Sequence, residues 1–137
     1  MTLTAATLKA YGSVNGGSKT LTVVGNAELG NPSGTNDTVT GLASLDISGT
    51  TLIETATLTT TGTQNFQGDV TLGTTTTLTT TNSAITFGTT LDSAATESNA
   101  LIVAAGNGAV TFTGDVGAKT DGRLGNVSIG SDGITSF

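Results

Sequence analysis

The residues whose side chains could best support catalysis or ligand binding lie close together in one short segment. Asp115, Lys119, Asp121 and Arg123 bring two carboxylates and two basic groups between glycine-rich turns. An enzyme that cleaves acidic polysaccharides would need several convergent carboxylates, a calcium site and basic side chains. The chain offers one arginine, so the segment is predicted to be a solvated turn. No catalytic, cofactor-binding or metal-binding residue is predicted in the sequence.

Whole classes of catalytic site are excluded because the chain contains no cysteine and no histidine. Disulfides, thiol nucleophiles, the common zinc sites and histidine-based triads all require one of these residues. Four basic residues against ten acidic ones give a net charge of -6, which disfavours binding to a phosphate backbone. No stretch approaches the roughly 18 apolar residues of a membrane span. We therefore expect no enzyme activity, no cofactor, no nucleic acid and no membrane span.

Two other residue patterns concern binding. The runs Thr57-Leu58-Thr59, Thr77-Leu78-Thr79 and Thr111-Phe112-Thr113 each place two threonines on one side of a strand, as regular arrays do in β-solenoid ice-binding proteins. These runs do not recur at a constant spacing. Ice binding is therefore a minor alternative to the ordinary preference of threonine for exposed strands. Sugar rings stack on exposed tyrosine and tryptophan, and Tyr11 is the sole candidate for such a platform.

These residues must be positioned by β-strands, because the composition disfavours helices. The chain has 32 threonines and 20 glycines among its 137 residues, and both types are poor helix formers. A triplet of apolar, small polar and apolar residues recurs, usually near a glycine, and this alternation is typical of a half-buried strand. The triplets are residues 21–23, 45–47, 70–72, 85–87, 110–112 and 127–129.

Two architectures fit short strands of this kind: a β-sandwich, or a solenoid whose coils stack about 4.8 Å apart. The solenoid is favoured because 4 Phe, 1 Tyr and no Trp are too few for a sandwich core, whereas aliphatic residues suit a narrow bore. We predict a right-handed parallel β-helix of about five to seven coils, each with about 20 to 25 residues. The residues expected to be buried are Val70, Leu72, Ile85, Phe87, Val110, Phe112, Val127 and Ile129. Those expected to face outward are Thr71, Thr86, Thr111 and Ser128.

Residues 1–137 are predicted to form a single solenoid segment with an internal repeat. Residues 21–47 resemble residues 101–129 at an offset of about 80, and chance similarity in a threonine-rich chain is the alternative. On a shorter scale, Ala84-Ile85-Thr86-Phe87 recurs as Ala109-Val110-Thr111-Phe112. Repetition on two scales is typical of stacked architectures.

The order of sequence blocks from Leu42 to Phe137 resembles the β-helical repeats of filamentous-haemagglutinin-type bacterial exoproteins. The blocks are Leu42-Ala43-Ser44-Leu45-Asp46-Ile47-Ser48-Gly49 and residues 59–66, 68–73, 77–79, 84–87 and 108–117. The resemblance implies a right-handed parallel β-helix, export to the cell surface, and a role in adhesion or in an extracellular fibre. It implies no catalytic residue. The amino-terminal secretion domain of such exoproteins has no counterpart here, so we expect an internal segment of a longer protein.

The predicted function is a structural or adhesive segment of a secreted bacterial surface protein or extracellular fibre, without catalysis. Expected partners are neighbouring coils or further copies of the chain, end to end, because a terminal coil exposes unpaired N–H and C=O groups. Host or surface glycans are further expected partners. The alternative is a carbohydrate-binding or carbohydrate-active β-helix domain, against which the scarcity of exposed aromatic residues counts.

Overall fold

The computed structural model describes residues 1–32 and 36–137, which form fourteen β-strands joined by turns and loops, with no helix among them. Every strand pair is parallel. The strands are β1 (Thr2–Ala10), β2 (Val14–Gly30), β3 (Thr38–Ile47), β4 (Thr51–Glu54), β5 (Thr57–Thr60), β6 (Gln64–Phe66), β7 (Val70–Leu72), β8 (Thr76–Thr79), β9 (Ile85–Phe87), β10 (Leu91–Ser93), β11 (Leu101–Gly106), β12 (Val110–Phe112), β13 (Val127–Ser131) and β14 (Thr135–Ser136).

The strands pair between coils, and the result is a β-solenoid of about six stacked turns. Each coil contributes to three columns of strands, called faces 1, 2 and 3. Face 1 contains the first residues of β2 and β3, followed by β5, β8, β11 and β13. Face 2 contains the start of β1, the middle of β2, the end of β3, and β6, β9, β12 and β14. Face 3 contains the ends of β1 and β2, and β4, β7 and β10. The predicted solenoid is confirmed, and the sandwich alternative is wrong.

The core is built from columns of inward side chains that stack on one another from coil to coil. On face 1, Leu58 pairs with Leu78, and neither side chain is exposed to solvent. On face 2, the rings of Phe66, Phe87 and Phe112 stack with centroids 5.4 and 4.9 Å apart. Burial of each such side chain stabilises the fold by about 1.5 to 3 kcal/mol. Coil stacking and hydrophobic burial are therefore the same event in this molecule.

The triplets identified in the sequence form the strands as predicted, with one difference at the last coil. The residues confirmed as buried are Val70, Leu72, Ile85, Phe87, Val110 and Phe112. The middle residues Thr71, Thr86, Thr111 and Ser128 face outward. Val127 and Ile129 are only half-buried, so their predicted full burial is wrong. They lie on β13, which pairs with β11 on one side and with no described strand on the other.

Threonine also occupies the interior, which the sequence analysis did not predict. Thr55, Thr60, Thr76 and Thr80 lie at coil corners and are buried. Each hydroxyl donates to a backbone carbonyl: Thr76 Oγ1, for example, bonds Thr55 O at 3.1 Å and Thr74 O at 3.1 Å. Burying a hydroxyl costs free energy unless it is hydrogen-bonded. The corner threonines meet this condition through bonds to carbonyls of the corner backbone.

The coil, rather than the longer sequence repeat, is the structural unit. Asp46, Asn65, Thr86 and Thr111 stack in register on face 2, so these three successive coils take 19, 21 and 25 residues. The short repeat places Ile85–Phe87 directly beneath Val110–Phe112. The two segments of the longer repeat lie on different faces, since residues 21–23 pair on face 2 and residues 101–103 pair on face 1. The predicted 80-residue repeat therefore does not bring equivalent residues together.

Candidate functional site

The charged segment singled out in the sequence is divided by the fold between two corners of one coil. Asp115 precedes Val116, which forms an isolated parallel bridge with Leu91 on face 3. Asp121 and Arg123 follow, in a loop of residues 117–126 between faces 3 and 1, called the second corner loop. Asp115 does not line the cleft that this loop forms. Of the four residues, the structure brings Asp121 and Arg123 to one cleft.

The second corner loop is fixed to the coil beneath it by backbone hydrogen bonds. Ser93 N–H donates to Gly122 O at 2.8 Å, and Lys119 N–H donates to Asp92 Oδ1 at 3.0 Å. Gly117, which begins the loop, has a φ of 65°, a conformation that a side chain disfavours. The loop therefore continues the coil-to-coil bonding pattern of the strands and is held in a defined position.

The neighbouring loop, residues 94–100 or the first corner loop, lies at the same corner one coil below. Asn99 anchors it: its Nδ2 donates to Leu72 O at 3.0 Å and to Ser93 Oγ at 3.1 Å. The same Nδ2 donates to Glu97 Oε2 at 2.6 Å, which orients that carboxylate. Asn99 therefore ties the loop and its acidic side chain to the coils below.

The two corner loops enclose an open cleft of about 270 Å³. Its lining residues are Thr96, Glu97, Ser98, Thr120, Asp121 and Arg123. Thr96 N–H donates to Asp121 O at 2.5 Å, which joins the two loops at the cleft. Lys119 Nζ lies 4.0 Å from Asp121 Oδ1, whereas Arg123 forms no ion pair within residues 1–32 and 36–137. The cleft thus offers two carboxylates, three hydroxyls and a guanidinium, all groups that hydrogen-bond a polar ligand.

Four cleft residues were missed by the sequence analysis: Thr120 lies between the charged residues of the second corner loop, and the other three, Thr96, Glu97 and Ser98, come from another coil. Glu97 and Asp121 are separated by about one coil length, but no fixed motif marks that relation. The strand register gives the sequence separation between residues that meet in neighbouring coils, since Leu101 pairs with Val127 and Leu91 with Val116. A corner loop therefore meets the loop of the next coil, whatever its local sequence.

The structure also places the other acidic residues and the candidate aromatic platform. In the described part of the chain, no group of three or more Asp, Glu, His or Cys side chains could hold a metal ion. The same residues include no helix long and apolar enough to cross a membrane.

Tyr11 is 57% exposed, but its hydroxyl donates to Glu28 Oε2 at 2.9 Å and Lys9 Nζ lies 5.8 Å from its ring centroid. Lys9 lies four coils from Asp92 on face 3, so Tyr11 is about 19 Å from the cleft along the axis.

Lys9, Tyr11 and Glu28 form a linked surface group on face 3. Lys9 Nζ lies 2.8 Å from Glu28 Oε2. The hydrogen bond to Glu28, and secondarily that to Tyr11, raises the pKa of Lys9, while the bonds from Lys9 and Tyr11 lower the pKa of Glu28. The three polar groups already satisfy one another, so this group has less capacity for a ligand than the cleft.

A second ordered surface lies on face 1. Thr57 and Thr59 of β5 pair in register with Thr77 and Thr79 of β8, and Thr38 of β3 pairs with Thr57. These five residues are called the threonine face. The run Thr111-Phe112-Thr113, grouped with them in the sequence analysis, lies instead on face 2. The sequence analysis also omitted Thr38, whose alignment depends on a coil of unequal length.

Comparison with known proteins gives no assignment: no family model, no curated protein and no solved structure matches this chain.

Proposed function

We propose that this chain is a structural and adhesive β-solenoid segment of a secreted bacterial surface protein of the filamentous-haemagglutinin type, or of an extracellular fibre, and that it acts without catalysis. The proposal rests on the sequence resemblance together with the solenoid architecture. A solenoid presents long, regular faces to the surroundings, which suits attachment spread over many weak contacts. The outward ladder of face 2 is built mainly from hydroxyl and amide side chains, including Thr22, Asn65, Thr86 and Thr111.

The observation that carries the adhesive part of the proposal is the cleft between the corner loops. Carboxylates accept hydrogen bonds from sugar hydroxyls, and a guanidinium supplies five donors to sugar or carboxylate oxygens. Glu97 is already oriented by Asn99, so less conformational entropy is lost when a ligand binds. We propose surface glycans as the ligands of this cleft. The affinity of one cleft would be low and would increase when several copies act together.

A carbohydrate-cleaving function is the second candidate, because Glu97 and Asp121 line the same cleft. Glycosidases use two carboxylates, one as general acid and the other as base or nucleophile. The two candidates differ in a simple observable. An adhesin retains its glycan intact, whereas an enzyme releases new reducing ends.

The test is binding of the purified chain to a panel of immobilised glycans, with reducing ends assayed in parallel. We expect binding that is weakened about tenfold by Arg123→Gln, because the guanidinium contacts the ligand. Lys19→Gln is the matched control: it removes one positive charge from an exposed site outside the cleft. Binding that neither variant changes would remove the cleft from the proposal. Release of reducing ends that Glu97→Gln abolishes would replace adhesion by catalysis.

A further inference from the structure

We propose that the threonine face binds ice, a function independent of the cleft and of the adhesive role. Four of its hydroxyl groups, those of Thr57, Thr59, Thr77 and Thr79, make no hydrogen bond to any residue that the structure describes. Threonines of the same strands that point inward behave differently, since Thr60 and Thr76 bond backbone carbonyls. The outward hydroxyls therefore keep their full hydrogen-bonding capacity for water.

The spacing of these hydroxyls is two-dimensional and regular. Thr57 pairs with Thr77 and Thr59 with Thr79, so adjacent rows are separated by one coil, about 4.8 Å. Within a row the two threonines are two residues apart, which in a strand is about 6.6 Å. Both repeats are of the same order as the repeats between water oxygens in an ice lattice. A surface with this grid can hold several water molecules of an ice lattice at once, whereas liquid water has no such fixed spacing.

The chemistry of the side chain suits an ordered water layer. Threonine offers a hydroxyl that bonds water and a methyl group beside which water orders. Its branched Cβ is stiff at χ1, so little rotamer freedom is lost on binding. The strand beneath is equally fixed, since Leu58 and Leu78 between the threonines are 0% exposed. The hydroxyl grid is therefore held in place before the ligand arrives.

The remainder of face 1 is also compatible with ice. The outward residues above the grid are Ile102 and Ala104, paired with Thr77 and Thr79, and then Ser128 and Gly130. Below it, Asn15 pairs with Thr40. None of these residues is charged, and Lys19 lies at the edge of face 1, in the column of Leu42 and Thr60. Face 3, by contrast, carries Lys9, Glu28, Glu54 and Asp92. A charged group holds its own hydration shell, which conflicts with a lattice of water, so face 1 is the face suited to ice.

The test measures inhibition of ice recrystallisation in a frozen sucrose solution, with thermal hysteresis as the second reading. We expect the unmodified chain to slow the growth of ice grains. Thr59→Lys places a charged, longer side chain in the grid and should raise the concentration needed for inhibition about tenfold or more. Thr111→Lys is the matched control, because Thr111 is an outward threonine on a strand of face 2. It should leave the inhibition unchanged.

Three outcomes would overturn the proposal. The first is an unmodified chain without effect on ice, and the second is an equal loss of inhibition in Thr59→Lys and Thr111→Lys. The third is inhibition that is found only in assemblies of the chain and is absent from its isolated monomer. Circular dichroism and a thermal melt establish that each variant is folded. Should Thr59→Lys fail to fold, Thr59→Ser together with Thr79→Ser gives the same test by removing two methyl groups from the grid. Arg123→Gln should not alter ice inhibition, so failure here is distinguishable from failure of glycan binding.

Discussion

At the scale of single residues, buried polar side chains determine how one coil is aligned with the next. Gln64 occupies an inward position on face 2, between Leu45 below and Ile85 above. Its Nε2 donates to Leu58 O at 3.2 Å and to Thr79 O at 2.9 Å, so it joins carbonyls of two successive coils. An apolar column would stack almost equally well after a two-residue slip along the strand. A side chain bonded to two particular carbonyls would not.

Replacing Gln64 tests this role. Gln64→Ala removes these bonds and leaves a cavity, but it also removes Oε1, which is buried with no partner among the described residues. The net destabilisation should be about 1 to 3 kcal/mol. The measurement is the free energy of unfolding in urea. The matched control is Gln67→Ala, because Gln67 bonds the exposed side of Asp46 and should contribute less than about 1 kcal/mol. Equal effects of the two substitutions would contradict the proposed alignment role.

The charge of Glu54 gives a prediction about pH. Partial burial, followed by repulsion from Glu28 and Glu97, raises the pKa of this carboxyl above its usual value. The folded state therefore holds the proton more tightly than the unfolded chain. The free-energy cost of holding a charged Glu54 in the folded state is absent at pH values below the pKa of Glu54 in the unfolded chain. It is complete above the pKa of Glu54 in the folded state, so stability decreases as pH rises through this window.

Glu54→Gln should therefore raise the melting temperature at pH 7 and have no effect near pH 3. The expected gain is about 2 °C or less, as for a surface substitution. Melting curves of both proteins at several pH values supply the measurement. Asp132→Asn is the control, because it removes one exposed negative charge remote from this cluster. A gain of the same size at pH 3 and pH 7 would exclude the charge as its cause.

At the scale of the elements, the strands were predictable from sequence and the corners were not. The triplets Val70–Leu72, Ile85–Phe87 and Val110–Phe112 form strands because alternation alone decides which side is buried. Corner geometry depends on the coil beneath, which no local pattern encodes. Thr60 and Thr80 follow this alternation and are buried, but the acceptors of their hydroxyls, Gly62 O and Ser83 O, are supplied by the corner backbone.

The same reason explains how much of the site was predictable. Asp121 and Arg123 are close in sequence and remain together in the cleft. Glu97 joins them from another coil, and the grid of Thr57 and Thr77 also depends on pairing between coils. Both contacts follow from strand register, which varies with coil length. Sequence spacing therefore identified some residues of the cleft and of the threonine face, but it did not predict which residues of different coils lie side by side.

Close contact between coils also predicts which glycines are essential. A Cβ on Gly108, in the turn between β11 and β12, would overlap the backbone of Ser83 in the coil beneath. Gly108→Ala should therefore destabilise the chain by about 1 to 3 kcal/mol. Gly130→Ala is the control, because a Cβ there would meet only Val103 O at 3.4 Å and should change stability by less than about 0.5 kcal/mol. Urea unfolding of the two variants tests this, and equal losses would show that glycine flexibility rather than coil spacing matters.

At the scale of the whole molecule, both ends of the described rod present unpaired strands. Within the described residues, β1 pairs with β2 alone, β13 with β11 alone, and β14 with β12 alone. The phenylalanine column also continues to the surface: Phe137 stacks on Phe112 at 4.9 Å and is 81% exposed. Unpaired strand edges beside exposed apolar groups are templates for further pairing. These features support the proposal that neighbouring coils, or other copies of the chain, cover them.

The chain studied alone should therefore self-associate through its ends. The double substitution Ile134→Lys and Phe137→Lys replaces two side chains that are 77% and 81% exposed beside the free edge of β14. Charged residues at a sheet edge oppose pairing, so the variant should form smaller assemblies at the same concentration. Sedimentation velocity over a concentration series measures this. Thr71→Lys combined with Thr86→Lys is the matched control, since both residues face outward on middle coils, away from the unpaired strands β1, β13 and β14. A monomeric chain at high concentration, or equal loss of assembly in both variants, would refute end-to-end association and would leave the corner cleft as the remaining support for an adhesive role.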